Sequence, residues 1–213
     1  MYVDIHTHVD NQSVTKIDDD FNGEKTLISI GVHPWDVEGF DFSQTMRMLY
    51  DFVKNNDVFA IGEVGLDKVH KETFEKQKEV FLEMIRLSES YEKPMIIHCV
   101  RAYSEIIETR KRTKARMPWV IHGFSSSVET MQQLLSHGMY ISLGEILYRN
   151  ENQAVKLLKN ISPDRLFLET DVSGRDIRDV YNKAASLMGC EVEFLCRQIS
   201  VNQLLKTQNR AVF

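Results

Sequence analysis

Apolar residues along this chain gather in short runs. Seven stand at residues 2–5, 26–32, 58–61, 94–97, 119–121, 139–143 and 165–168, each of strand length. Between most of them the apolar positions shift to a period near 3.6. Within 71–91, Phe74, Phe81 and Ile85 recur on one face with charges between, which predicts a helix. Segments 104–112, 127–136, 152–161 and 177–187 read the same way, and 192–205 predicts an amphipathic helix lying over the rest, with Asn202 in a packing role. Repeated strand–helix alternation implies parallel strands joined by right-handed crossovers. The expected fold is α/β: a distorted TIM-like (β/α) barrel of seven to eight mostly parallel strands, trimmed near the N-terminus. The first connection breaks the pattern. Residues 11–25 are polar, carry Asp18-Asp19-Asp20 and Asn22-Gly23, and hold no convincing helix. They predict a loop or a small hairpin around Asn22-Gly23.

At 213 residues the chain suits a single domain spanning 1–213. Its hydrophobic content of 43% is enough for an ordinary globular core, and no stretch is long and apolar enough to predict a membrane span. Met1 leads directly into Tyr2-Val3-Asp4-Ile5, without a basic and then apolar leader pattern. Cys99, Cys190 and Cys196 are odd in number and follow no framework spacing, which suits reduced thiols in a cytoplasm. The net charge of −5 argues against non-specific coating of nucleic acid, although bound cations can make one site locally positive. No obligate protein partner is evident.

The chemistry stands where the apolar runs end. Asp4-Ile5-His6-Thr7-His8 closes the first run. Residues two apart on a strand share a face with Cα atoms roughly 6.6 Å apart, so His6 and His8 can converge on one cation. Ala60-Ile61-Gly62-Glu63 ends in a carboxylate, Met95-Ile96-Ile97-His98 and Trp119-Val120-Ile121-His122 end in imidazoles, and Leu166-Phe167-Leu168-Glu169-Thr170-Asp171 ends in two carboxylates. In a parallel barrel the C-terminal ends of all strands open on one face, where active sites form. An ionisable group at the end of a buried strand must be paired, hydrogen-bonded or metal-bound. His6, His8, Glu63, His98, His122 and Asp171 are therefore expected to meet at one mouth as metal ligands. Six ligands exceed the needs of one catalytic ion, so two divalent ions are expected, with Glu63 shared. The assignment is His6, His8, Asp171 and Glu63 on one ion and His98, His122 and Glu63 on the other. The nitrogen and oxygen donors suit Zn, Mn or another transition ion more than Ca, and the expected cofactor is two divalent ions, Zn, Mn or Mg. His33, after the run ending Gly31-Val32, is a candidate mouth-lining residue, and Glu169 shares a face with Asp171 and is expected to fix a neighbouring ligand.

These pieces resemble the TatD family of metal-dependent deoxyribonucleases, in the amidohydrolase superfamily. The matching strings are Asp4-Ile5-His6-Thr7-His8, Gly31-Val32-His33-Pro34, Ile61-Gly62-Glu63-Val64-Gly65-Leu66-Asp67, Ile97-His98 with Arg101, His122-Gly123-Phe124-Ser125 and Glu169-Thr170-Asp171, in the family's order. The resemblance implies a distorted TIM barrel and removal of nucleotides from DNA 3′ ends. There are departures. The chain is shorter than typical members, residues 11–25 stand where the family has its first helix and second strand, Gly123 replaces a usual Cys, and Val172-Ser173 follows Asp171 in place of Ala-Pro.

The expected reaction is hydrolysis of a phosphodiester by a metal-activated water. Asp171 and Glu63 are the catalytic carboxylates. Asp171 serves as both ligand and base. Arg101 is the candidate for gripping a substrate phosphate through paired hydrogen bonds, with His33 as a second substrate contact. The same ligand set also fits hydrolysis of a small amide, lactone or phosphate ester, and a binding protein without catalysis is the third reading. The basic run 110–116 is expected to end a barrel helix, on the side away from the mouth.

Overall fold

The first strand meets the segment that follows the last one through a bridge between Thr7 and Asp171, which draws the sheet around its core. The computed structural model describes residues 1–9, 12–19, 23–39, 41–55, 57–200 and 204. Eight strands form one sheet in chain order: β1 (Tyr2–Val9), β2 (Gln12–Asp19), β3 (Gly23–Ile30), β4 (Val58–Asp67), β5 (Met95–Val100), β6 (Trp119–Ile121), β7 (Tyr140–Leu143) and β8 (Leu166–Leu168). β2 runs antiparallel to both β1 and β3, and each later pair of neighbours is parallel. Past β8, Thr7 bridges Asp171 in the parallel sense, and the Asp171 N–H donates to the His6 carbonyl at 3.0 Å. The sheet is thereby drawn nearly into a barrel, the expected α/β architecture.

The helices are α1 (Phe42–Phe52), α2 (Phe74–Tyr91), α3 (Tyr103–Thr113), α4 (Val128–Ser136), α5 (Ile146–Arg149), α6 (Glu151–Lys159), α7 (Ile177–Met188) and α8 (Val192–Gln198). Parallel strands covered by helices are apolar on both faces. Accordingly, every position of β4 is buried. Side-chain caps start several helices. Asp41 accepts from the Gln44 N–H at 2.9 Å, Ser127 from the Thr130 N–H at 3.2 Å and Asn150 from the Gln153 N–H at 3.1 Å.

Three elements depart from the sequence expectation. Residues 12–19 form a full strand, so of the two alternatives the hairpin is realised and is longer than foreseen. Val14, Thr15 and Ile17 supply β-branched propensity amid polar neighbours. Val14 and Thr15 are buried, and Thr15 Oγ1 donates to the Ile5 carbonyl at 2.8 Å. The turn residues 20–22 lie outside the described residues. Helix α1 escapes the periodicity because Met48 and Phe52 point outward and only Met46 and Leu49 are buried. Of the expected 192–205 helix, α8 covers Val192–Gln198, Ile199 and Ser200 are not helical and Leu204 is, while the remaining positions, Asn202 included, lie outside the described residues. The basic run at the end of α3 makes local contacts. Arg110 donates to the Met117 carbonyl at 2.7 Å and lies 4.8 Å above the Trp119 ring, and Arg116 pairs with Glu89. Met117 and Trp119 enter β6, so these residues sit at the N-terminal end of the strands. Among the described residues no helix is long and apolar enough to cross a membrane.

Candidate metal centre

Glu63, buried within β4, sits in a ring of imidazoles. Its Oε1 lies 2.7 Å from His98 Nδ1, 2.7 Å from His122 Nε2 and 3.2 Å from His33 Nε2. Its Oε2 lies 3.2 Å from His6 Nε2 and 3.6 Å from His8 Nε2. Five of the chain's seven histidines thus surround one carboxylate. Asp171 Oδ1 stands 3.6 Å from both His6 Nε2 and His8 Nε2. The strand order explains the gathering: β1, β4, β5, β6 and β8 present their C-terminal ends to one mouth, and His33 follows β3.

A second set of groups fixes this ring. Asp4, on the His6 face of β1, accepts from the Thr170 N–H at 3.0 Å and from Thr170 Oγ1 at 2.5 Å, which ties the Asp171 segment to β1. Glu169 accepts from the Gly123 N–H at 2.6 Å and approaches His122 Nδ1 at 3.8 Å. Gly123 adopts φ +57°, which a glycine takes without strain, so it suits this bond better than a residue with a Cβ. Asp67 Oδ2 accepts from Trp35 Nε1 at 2.7 Å and lies 3.4 Å from His98 Nε2. Gly65 lets β4 pass against β5: at φ +147°, an added Cβ would fall 2.0 Å from the His98 carbonyl oxygen.

Proton affinities follow from this packing. Burial alone would raise the Glu63 carboxyl, but His122, His33 and His6 hold it far below the usual carboxylate range. Burial opposes protonation of His122 too, yet Glu63 and Glu169 raise it well above an ordinary imidazole. His8 is raised by its contact with Glu63. His6 is lowered by burial and by neighbouring His122. Burial pushes Asp4 up to about 7, with its Thr170 hydrogen bonds opposing.

The donor set fits divalent metal ions. Both ring nitrogens of His6 are buried without a hydrogen-bond partner, the 3.2 Å approach of Nε2 to Glu63 lacking hydrogen-bond geometry, and His122 Nδ1 is likewise orphaned. Orphaned buried nitrogens are rare in native proteins unless something else occupies them. Among the described residues, three groups have ligand atoms all within 4.8 Å of one another: His6, His8 and Asp171; His6, Glu63 and His122; His33, Glu63 and His98. The six residues singled out as ligands therefore lie together, though the geometry groups His98 with His33 and His122 with His6. His33 joins the ring through Nε2, beside Glu63 and His98. Arg101 stands apart, exposed at φ +55° beside a groove shared with Gly123, Ser125 and Ser126. Sequence reasoning missed Asp67 and Trp35. Their signals were an acid two residues beyond the glycine of Val64-Gly65-Leu66 and an aromatic two residues after His33. The mouth opens into a cavity of about 660 Å³ that includes His8, His33, Trp35, Glu63, His98, His122 and Asp171 in its walls.

Comparison with known proteins places this arrangement. The family model described as TatD related DNase matches residues 3–202. The chain is 30% identical over 202 residues to the uncharacterized metal-dependent hydrolase YcfH of Escherichia coli K12, covering 86% of this chain and 75% of that protein. It is 32% identical over 151 residues to an uncharacterized metal-dependent hydrolase of Buchnera aphidicola, covering 67% of this chain and 57% of the relative, and 27% identical over 146 residues to one of Methanocaldococcus jannaschii, covering 56% of it. The chain thus spans little more than half the length of those two relatives. Among solved structures it is similar in fold to the TatD homologue YJJV of Escherichia coli K12 (TM-score 0.72, 22% identity, 85% of this chain and 74% of that one). It is similar also to a TatD family hydrolase of Entamoeba histolytica (TM-score 0.68, 20% identity, 85% and 73%).

Proposed function

The chain belongs to the TatD-related DNase family, and on that footing we propose that it is a divalent-metal-dependent hydrolase cleaving DNA phosphodiester bonds from the 3′ end. The observation that carries this reading is the Glu63 carboxylate ringed by five imidazoles beside Asp171. His6, His8, Glu63, His98, His122 and Asp171 are the proposed ligands of two ions, with His33 adjoining. When bound, such ions lower the pKa of a water toward neutrality and offset the charge of a phosphodiester.

The chain's own groups do the rest. Asp171 Oδ1 faces His6 and His8 within the mouth, and the carboxylate is the proposed acceptor of the attacking water's proton. Asp4 and Thr170 hold Asp171 in register through backbone and side chain. Glu169 and Asp67 orient His122 and His98, as outer carboxylates orient metal-binding histidines. Arg101, on the neighbouring groove rather than in the mouth, is the proposed contact for a phosphate farther along the substrate strand. The free thiols Cys99, Cys190 and Cys196 support a reducing compartment such as the cytoplasm.

Single-stranded DNA labelled at its 3′ end, incubated with protein reloaded with Mn, Zn or Mg, tests the proposal. Release of labelled mononucleotides supports it. Intact DNA together with turnover of a small phosphate ester, lactone or amide favours the small-substrate reading, and no turnover of either returns the chain to a binding role.

A further inference from the structure

The indole of Trp35 is 56% exposed at the edge of the mouth, while the chain's other tryptophan, Trp119, is fully buried. The exposed ring is nonetheless held in place. Its N–H donates to Asp67 Oδ2 at 2.7 Å, and Asp67 is itself buried. The rings of His33, His70 and His98 stand 4.9, 5.3 and 5.9 Å from it, those of His33 and His98 close to perpendicular. Trp35 therefore presents a large apolar surface in a defined orientation, in the same cavity as Glu63 and Asp171. Val172, 78% exposed and adjacent to Asp171, lines that cavity as well. An oriented aromatic with open surface beside a phosphodiester-cleaving centre matches a planar aromatic ligand, because every nucleobase has a π face to offer.

We infer that Trp35 is a stacking platform for the nucleobase nearest the cleaved phosphodiester. It acts as a positioning residue: it orients the terminal nucleotide and touches none of the reacting atoms. The inference rests on the deoxyribonuclease reading and deepens it by assigning base recognition to one wall of the mouth. Stacking is tolerant of sequence, so all four bases are held comparably and a substrate lacking its terminal base is held less well. The indole N–H has a second duty that can be separated from stacking, since it restrains Asp67, whose oxygen also faces His98.

The experiment titrates the metal-loaded protein into a 5′-fluorescein-labelled, phosphorothioate-linked pentathymidylate and into the same oligonucleotide carrying an abasic 3′ residue, reading fluorescein anisotropy for affinity in every variant and tryptophan fluorescence in the unaltered protein. Trp35 is the only exposed indole, so quenching reports contact with it directly. The expected result is quenching and tighter binding with the base present, by roughly 5- to 150-fold over the abasic form. Trp35→Ala removes the preference, leaving both oligonucleotides bound alike. Trp35→Phe keeps a smaller preference, because it retains an aromatic face while losing the N–H and the five-membered ring. Equal binding of the two oligonucleotides by the unaltered protein, or an undiminished preference in Trp35→Ala, overturns the inference while DNA cleavage stands. A protein that neither binds nor cleaves either DNA, yet hydrolyses a small ester, overturns the nuclease reading itself.

Discussion

His122 Nε2 and Glu63 Oε1 lie 2.7 Å apart, both side chains almost wholly out of solvent. The pair joins β6 to β4 across the barrel mouth, and four further imidazoles approach the same carboxylate. A buried charge needs such compensation, and a shared cation supplies it best. Glu63→Gln keeps the shape and removes the charge. Metal affinity in that variant is expected to fall by more than the roughly 10- to 100-fold that loss of an outer hydrogen bond to a ligand costs. Metal analysis by mass spectrometry, with calorimetric titration, measures it. Unchanged binding would remove Glu63 from the centre.

Asp171 sits in the mouth with one oxygen toward His6 and His8 and a left-handed backbone at φ +48°. If it accepts the proton of the attacking water, Asp171→Asn loses turnover by about 100-fold or more. The fold should persist, because Thr170 and Asp4 hold the segment independently of this side chain. Steady-state kinetics at saturating metal decide the point, and near-normal turnover with metal retained contradicts the role.

His8 and His122 both hold protons more tightly than an ordinary imidazole in the metal-free protein. A metal ligand must be neutral, so a cation and a proton compete for each of these rings. The sign follows: metal binding near neutral pH releases protons, and affinity falls as pH drops and the raised imidazoles fill with protons. Calorimetry in buffers of different ionisation enthalpy reads the release. Affinity that is flat or rises on acidification from pH 8 to 6 would contradict the arrangement.

Gly65 carries β4 past β5 at the level of His98. A methyl group there would sit 2.0 Å from the His98 carbonyl oxygen, and φ +147° is closed to other residues. Gly65→Ala is expected to destabilise the fold by about 3 kcal/mol or more. Denaturant unfolding checks it. The same substitution at Gly138, where nothing lies within 4 Å although φ is +76°, costs only backbone strain and serves as the control.

Much of this molecule was legible in its sequence, for physical reasons that differ between parts. Strands such as β4 and β5 are buried on both faces, so their apolar runs stand out, and the ionisable residues ending them mark one rim. β2 was less visible because its buried Val14 and Thr15 sit among Gln12, Ser13 and Lys16, and a two-sided polar strand looks like a loop. Helix α1 buries too few residues to impose a period. Within the site, His6 and His8 announce themselves by spacing. Asp67 and Trp35 do not, since their meaning lies in a 2.7 Å hydrogen bond across 32 residues of chain. The grouping of His33 with His98 depends likewise on how β3 enters the barrel, which no local pattern encodes.

Anomalous diffraction from crystals grown with zinc or manganese locates the ions that the ring around Glu63 is built to hold. Two peaks are expected at the mouth, each at roughly 2.0–2.2 Å from histidine nitrogens or carboxylate oxygens of this set, with Glu63 touching both. Peaks confined to the outer surface, or an ion at the mouth that Glu63 does not contact, would contradict this arrangement.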